Sequence, residues 1–508
     1  MIILKRVYSL LSICQSSILS HQNVACLIAG ALAKFCFCKG QTCPVLVLPS
    51  LAIVLYAIWN STPRSALRLG FLFGIGHFGS TLYWVAESFG CVGLGYLGYP
   101  AVVCLVLYLS VYVALASYLS RWLACSRVGF LVLFACFWTL AEYARGIVFT
   151  GFPWNLMGYI TYDITCFSQI ATIFGSYGLS FFVVLISASL TTRRTCLYGV
   201  AVFFAICVYG YVILHDDSKL ERPANQVRVF AVQPSISQAD KMDRTKFEQN
   251  LDKHIAISDL SGAQAERSIY VWPEAAVDVP LIPGGAAQRR IGELMKSDGS
   301  LLITGADRRG ENGEVYNGAA VLGNGGEILQ TYDKRHLLPF GEFIPEFLLD
   351  MGLRKVTPGI LNFSSGQSSR TISIDGVEKF NLVICYEIVF PGEILDDRES
   401  KWILNITNDA WFNDSDGPSQ HMRSACFRAI EDGRAIVRVA NNGISCIIDC
   451  NGSIVSKLET DAVGVLDTYM PLPYRNTFFS VHKNIPILSL IVALIFIVIA
   501  VERTRRKR

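Results

Sequence analysis

The chain has 508 residues, 52% hydrophobic and only 17% charged, with a mean hydropathy of +0.41, whereas soluble domains carry about 25% charged residues. Of eighty-five charged residues, only fourteen precede position 215, so an apolar N-terminal part is followed by a water-compatible one. The formal net charge is +3, and the basic residues sit in short loops and at the C-terminus rather than in a stripe interleaved with aromatics. That pattern argues against a nucleic-acid partner and for a membrane topology signal.

In chain order, runs of about 20 apolar residues, the length a membrane span needs, are expected near 22–38, 44–60, 67–87, 97–120, 128–148, 166–190 and 196–214, with a last one at 485–501. Residues 7–20 follow Lys5 and Arg6 and imitate a signal peptide, but no small-residue cleavage site follows, so this segment is expected to stay attached. Alternate loops carry Lys5/Arg6, Arg64/Arg68, Arg121/Arg127 and Arg193/Arg194, and the tail carries Arg503, Arg505, Arg506, Lys507 and Arg508. The opposite short loops carry only Lys39 and Arg145. The bias predicts cytoplasmic termini and an external domain at 215–484, periplasmic in a two-membrane bacterium. The expected organisation is therefore a transmembrane region at 1–214 with about seven helices, the external domain at 215–484, a C-terminal helix at 485–501 and a basic tail at 502–508.

Sixteen cysteines are present, twelve of them before position 215, where they read as small apolar filler. Cys36 and Cys38 are too close together and lack partners for a metal site. The polar part holds only Cys385, Cys426, Cys446 and Cys450, which permits a Cys446–Cys450 disulfide but no disulfide framework.

Between 215 and 484, strands are predicted at Val227–Gln233, Ser268–Trp272, Leu301–Gly305, Phe380–Cys385 and Trp402–Thr407, with helices at 246–258, 286–297 and 418–434. Two hairpins are predicted, one across Asn324-Gly325-Gly326 within 316–332 and one across Cys450-Asn451-Gly452 between 436–449 and 452–458. This alternation predicts a layered α/β domain with mixed sheets, and no glycine-rich nucleotide loop is present.

Three segments place reactive side chains just after predicted strands, where such folds expose functional groups. In Val271-Trp272-Pro273-Glu274-Ala275-Ala276, a proline stops the strand and Glu274 is flanked by apolar neighbours, the partly desolvated setting a general base or acid requires. In the run from Tyr332-Asp333-Lys334-Arg335-His336 to Pro339-Phe340-Gly341-Glu342-Phe343-Ile344-Pro345, prolines and a glycine fix the path, and Lys334 can hold an oxyanion or lower a thiol pKa. In Leu382-Val383-Ile384-Cys385-Tyr386-Glu387, Cys385 ends an apolar strand, and a nucleophile on such a turn has the next backbone N–H available as an oxyanion donor. Singly, each fits equally a loop glutamate, a solvated lysine or a core cysteine. Together they supply the base, the cation and the nucleophile of a thiol acyl transfer.

The ordered motifs WPEAA, YDKRHLLPFGEFIP and ICYE resemble the nitrilase superfamily, and the flanking membrane segments resemble its apolipoprotein N-acyltransferase branch. Glu142-Tyr143-Ala144-Arg145-Gly146, Gly151-Phe152-Pro153-Trp154-Asn155, Thr407-Asn408-Asp409-Ala410-Trp411-Phe412, Gly417-Pro418 with Gln420-His421, and Asn441-Asn442-Gly443-Ile444 are similar to that branch too. The resemblance implies an α-helical transmembrane bundle plus an αββα sandwich. It implies Glu274 as general base, Lys334 as oxyanion stabiliser, Cys385 as acylated nucleophile, Glu342 as a supporting glutamate, and Tyr386 and Glu387 as residues that shape the site. The implied reaction takes an acyl chain from a phospholipid through a Cys thioester to the N-terminal S-diacylglyceryl cysteine of an apolipoprotein, in the bacterial inner membrane and without metal or cofactor. One departure is the tryptophan the family carries after the first strand: Ala239-Asp240-Lys241-Met242-Asp243 has Met242 roughly in its place. The alternative is a membrane-tethered amidase or nitrilase with the same triad and water as acceptor.

Overall fold

A computed structural model describes residues 21–40, 42–223, 225–259, 268–277, 281, 285–294, 299–344 and 362–506. The expectations for residues 7–20, Lys5, Arg6, Lys507 and Arg508 lie outside these. Two compact units emerge, one of residues 1–84, 99–213 and 484–508, the other of 85–98 and 214–483.

Among the described residues, five helices are long and apolar enough to cross a membrane: Gly95–Leu123, Arg127–Arg145, Ala171–Ser189, Arg193–His215 and the C-terminal helix from Ile485. A sixth span results if Pro63–Thr81 and Tyr83–Gly90, bent by 58° at their junction, count as one. Against the expectation of about eight, length and composition alone single out five or six among the described residues, with two shorter apolar helices beside them. The segment at 22–38 breaks into Gln22–Ala31 and Lys34–Phe37. Pro44–Trp59 has 16 residues, about 24 Å at 1.5 Å per residue, against a hydrocarbon thickness of about 30 Å.

Irregular backbone at membrane depth needs donors for its carbonyls. Here Arg145, 2% exposed, donates from Nη1 to the carbonyls of Phe152 (2.7 Å) and Trp154 (2.8 Å). Glu142, one turn back on the same helix, accepts from the Met157 N–H at 2.8 Å and lies 3.7 Å from Arg145 Nη2. These are the EYARG and GFPWN segments, and the helix end thereby clamps the loop that follows it. At the other end of the unit, Glu502 of the C-terminal helix accepts from the backbone N–H groups of Cys125 (2.6 Å) and Ser126 (2.8 Å).

The second unit is built on two six-stranded sheets. The strands are β1 Val227–Gln233, β2 Ser268–Val271, β3 Leu301–Arg309, β4 Val315–Leu322, β5 Ile328–Asp333, β6 Thr371–Ile372, β7 Phe380–Ile384, β8 Trp402–Thr407, β9 Ala435–Ala440, β10 Ser445–Ile448, β11 Ile454–Leu458 and β12 Gly464–Met470. One sheet runs β12-β1-β2-β3-β4-β5 and the other β11-β10-β9-β8-β7-β6. In each, three adjacent strands are parallel (β1-β2-β3 and β7-β8-β9) and the flanking pairs antiparallel.

Strand side chains alternate faces with period two. Val229 and Ala231 of β1 therefore join Leu382 and Ile384 of β7, Leu404 and Ile406 of β8, and Val437 and Val439 of β9 in the core between the sheets. Phe230 and Val232 turn the other way, into a second cluster with Leu251 and Ile257 of the helix Phe247–Asp259 and Ile291 of Ala286–Leu294. The helix Gly417–Asp432 is buried along its whole length. This is the αββα layering that the motifs imply. The predicted run 436–449 is two antiparallel strands, because Asn442-Gly443 turns the chain after β9. Cys446 and Cys450 are both buried and free.

If Arg145 and Glu142 act as one clamp, Arg145→Leu alone leaves a buried carboxylate unpaired and should destabilise the folded chain in detergent by about 3 kcal/mol or more. Adding Glu142→Leu should cost less than the sum of the two single changes. Additive losses in thermal unfolding would show that the two residues act independently.

Candidate active site

Glu274, Lys334 and Cys385 each lie just after a strand end, with Tyr386 and Glu387 following the cysteine, while Glu342 sits farther along the loop of Lys334. β2 stops at Val271, and the Trp272 N–H still pairs with the Ile303 carbonyl at 2.8 Å. Pro273 then lacks a donor and the chain turns, with Ala275 at φ +48°. The turn packs on Gly305 of β3, where a Cβ would stand 2.5 Å from the Ala275 nitrogen, so only glycine allows this approach. Lys334 follows β5 and its N–H donates to the Asn317 carbonyl at 2.9 Å. Cys385 follows β7 at φ +48°, opening a short 3-10 turn to Val389. A non-glycine residue in that region costs about 1–3 kcal/mol and persists only where its surroundings enforce it.

Glu274, Lys334 and Glu342 are all buried and meet. Lys334 Nζ lies 2.9 Å from Glu342 Oε1 and 3.4 Å from Glu274 Oε1. The Asn317 amide donates to both carboxylates, at 2.8 Å to Glu274 and 2.6 Å to Glu342. The remaining oxygens accept from backbone, Glu274 Oε2 from the Asn408 N–H (2.9 Å) and Glu342 Oε2 from the Leu338 N–H (2.7 Å). Burial alone would lower the Lys334 pKa, but the charges of Glu342 and then Glu274 raise it well above the ordinary lysine value, so it stays an ammonium. Burial pushes the Cys385 thiol up and the Glu274 charge adds to this, while Lys334 pulls it down; the net is a thiol well above its ordinary range. Such a thiol stays protonated at neutral pH and needs a base as it attacks.

Glu387 is 1% exposed and accepts on Oε1 from Tyr332 Oη (2.7 Å), the N–H groups of Arg335 (3.1 Å) and His336 (3.3 Å), and Arg370 Nη2 (3.2 Å). Its Oε2 accepts from the Ile384 N–H at 2.8 Å. The one carboxylate thus ties the loop of Lys334 to the strand of Cys385. Tyr386 is buried, its ring edge-on to Phe390 at 5.1 Å.

Residues 29–189 match the family described as "Apolipoprotein N-acyltransferase N-terminal domain", and residues 228–476 match "Carbon-nitrogen hydrolase". The apolipoprotein N-acyltransferase of Brucella melitensis is 34% identical over 440 residues, 82% of this chain and 81% of that one. That of Rickettsia bellii is 32% identical over 508 residues, covering 94% and 97%. The chain belongs to the apolipoprotein N-acyltransferase family. Among solved structures, an amidase from Nesterenkonia sp. aligns with 54% of this chain and 99% of its own at 17% identity and a TM-score of 0.36. As a family member the protein is a multi-pass membrane acyltransferase of lipoproteins, and the amidase alternative falls away as a description of the chain.

Several residues of this apolipoprotein N-acyltransferase site carry no sequence motif of their own. Asn317 sits within β4. Lys241, in the segment that lacks the family's tryptophan, donates to the Glu274 (3.3 Å) and Ala275 (2.5 Å) carbonyls and holds the corner that aims Glu274. Met242 ends the short helix Gln238–Met242, partly buried. Arg438 of β9 pairs with Asp409 at 2.7 Å, both fully buried. In the loop after Lys334, Phe340 is 48% exposed, whereas Ile344 is buried and serves packing. Among the described residues no group of three or more His, Cys, Asp or Glu side chains could hold a metal ion.

Burial opposes the Asp409 charge, but Arg438 and then His421 overcome it and hold the carboxyl at about 2 against an ordinary 3.8. A depressed folded pKa contributes stability that is complete above the unfolded value and is lost as pH falls through the folded one. Wild-type stability should therefore drop by about 2 kcal/mol between pH 4 and pH 2 through this group. Asp409→Asn should flatten that part of the profile in detergent unfolding, and an unchanged slope would contradict the assignment.

Proposed function

We propose that this acyltransferase moves a fatty acyl chain from a membrane phospholipid to the N-terminal S-diacylglyceryl cysteine of an apolipoprotein, by a ping-pong route through a thioester on Cys385. The observation that carries the reading is a cysteine at the head of a strained turn under the combined charges of a buried carboxylate and a buried ammonium.

Glu274 takes the Sγ proton as the sulfur attacks the ester carbonyl carbon, which the raised thiol pKa requires. The Lys334 ammonium and the Tyr386 N–H hold the oxyanion; one such donor contributes about 3–4 kcal/mol to a transition state. Collapse expels the lysophospholipid alkoxide, which recovers the proton from Glu274, and leaves the thioester. The α-amino group of the lipidated cysteine then attacks the thioester, giving its proton to Glu274. Cys385 departs and is reprotonated, and an amide remains. Glu342 keeps Lys334 charged and in place throughout. The half-exposed Phe340 offers an apolar contact for acyl chains. The loop charge bias supports cytoplasmic termini and a catalytic unit on the outer face of the inner membrane.

With radiolabelled phospholipid, the wild type should form a hydroxylamine-sensitive adduct, and Cys385→Ser and Cys385→Ala should abolish it, with transfer to a diacylated lipopeptide reduced on the order of 10³-fold or more. An adduct that persists in both variants would overturn the nucleophile. Release of ammonia from small amides without acyl transfer to the lipopeptide would overturn the acceptor.

A further inference from the structure

We infer that His421 is a positioning residue for acyl transfer, holding the Cys385 carbonyl so that the next peptide N–H, that of Tyr386, points at the oxyanion. The inference rests on the proposed role of that N–H as an oxyanion donor.

His421 Nε2 lies 3.1 Å from the Cys385 carbonyl oxygen. A carbonyl only accepts, so Nε2 carries a proton and donates it there. A trans peptide unit is planar, with its C=O and N–H pointing to opposite sides. Drawing the Cys385 oxygen toward the helix Gly417–Asp432 therefore turns the Tyr386 N–H the other way. Cys385 is at φ +48°, a conformation the chain does not keep unaided, so this peptide plane needs an external tether. His421 is the tether on the carbonyl side, and Glu387, through the Ile384 N–H at 2.8 Å, is the tether on the other side of the cysteine.

The ring is itself fixed. His421 Nδ1 lies 2.9 Å from Asp409 Oδ1 and 3.1 Å from Arg438 Nη2. Asp409 Oδ2 accepts from Arg438 at 2.7 Å, Asp409 Oδ1 from the Thr407 hydroxyl at 3.2 Å, and Arg438 also donates to the Asn405 side chain. His421 is 1% exposed, like Asp409, and Arg438 is fully buried. A Cβ at position 443 would come within 2.4 Å of Asp409 Oδ2, so a glycine in the β9–β10 turn leaves room for this carboxylate. Taking an ion pair out of water is expensive. Here it reaches the cysteine along two paths, through the imidazole to the Cys385 carbonyl and through Thr407, whose hydroxyl donates to Asp409 and also meets the Cys385 sulfur.

The test compares His421→Leu with His421→Gln in the full-length protein in lipid-supplemented detergent. Gln is chosen because its Nε2–H reaches as far from the backbone as the imidazole Nε2–H. Single-turnover formation of the Cys385 thioester from labelled phospholipid, KM for phospholipid, and alkylation of Cys385 by iodoacetamide, which needs no oxyanion donor, are measured in parallel. The Leu variant should acylate about 10- to 100-fold more slowly, a fraction of or equal to the loss of one oxyanion donor, with KM and the alkylation rate within about twofold of wild type. The Gln variant should recover most of the acylation rate. Wild-type acylation by the Leu variant overturns the inference, and so does a parallel fall of acylation and alkylation in both variants, which marks His421 as packing. Absence of any thioester on the wild-type enzyme instead overturns the nucleophile reading on which the inference stands.

Discussion

A carboxylate removed from water must find its donors within the protein, or it costs several kcal/mol. Glu387 meets that requirement with a side-chain hydroxyl, a guanidinium and three backbone N–H groups, drawn from three separated stretches of chain. Tyr332, Arg335 and His336 belong to the end of β5, at the edge of one sheet, and Ile384 to β7 of the other. The loop of Lys334 and the turn of Cys385 are thus held together by a polar junction across two sheets whose mutual packing is otherwise apolar. The left-handed conformation of Cys385 is held by tethers on both sides, at the Ile384 N–H before it and at its own carbonyl after it.

Around that junction the electrostatics divide the labour. Two carboxylates and one ammonium share a buried site, and Asn317 bridges both carboxylates where a second cation would otherwise be needed. The lysine keeps its charge, as an oxyanion partner must, and the thiol keeps its proton until a base removes it. A persistent thiolate beside Glu274 would be repelled; in the reaction proposed above it is transient, formed as the oxyanion develops against Lys334. Charge would then develop where fixed dipoles already face it, the condition under which electrostatic stabilisation costs no reorganisation.

The membrane unit follows the same rule in a different solvent. Arg145 and Glu142 lie near the end of an apolar helix without forming an ion path: their hydrogen bonds go to the backbone of the adjoining irregular loop. Intramembrane charge is usually read as transport chemistry, but here it satisfies carbonyls and an N–H that lipid cannot. Glu502 does the same for the amides that open the helix Arg127–Arg145.

Much of this was legible in the chain itself. The composition break near 215, the strands rich in β-branched residues and the order Glu274, Lys334, Cys385 are local signals, set by hydrophobic periodicity and by turn residues at strand ends. Other features were not. Hydropathy summed over a window does not register the breaks at 32–33 and 82, so it does not show where these apolar runs change direction. β12 pairs with β1, the first strand of the domain, a pairing between the two ends of the segment that no local signal announces. Asn317 lies 43 residues from Glu274 and His421 lies 36 from Cys385. An asparagine in a strand and a histidine in a helix look the same locally whether they face solvent or, as here, buried carboxylates and the Cys385 carbonyl. What the sequence determined by itself was which groups can do the chemistry. Tertiary structure alone decided which donors hold those groups in place, because that depends on strand order and sheet packing, and these bring distant residues within hydrogen-bond reach.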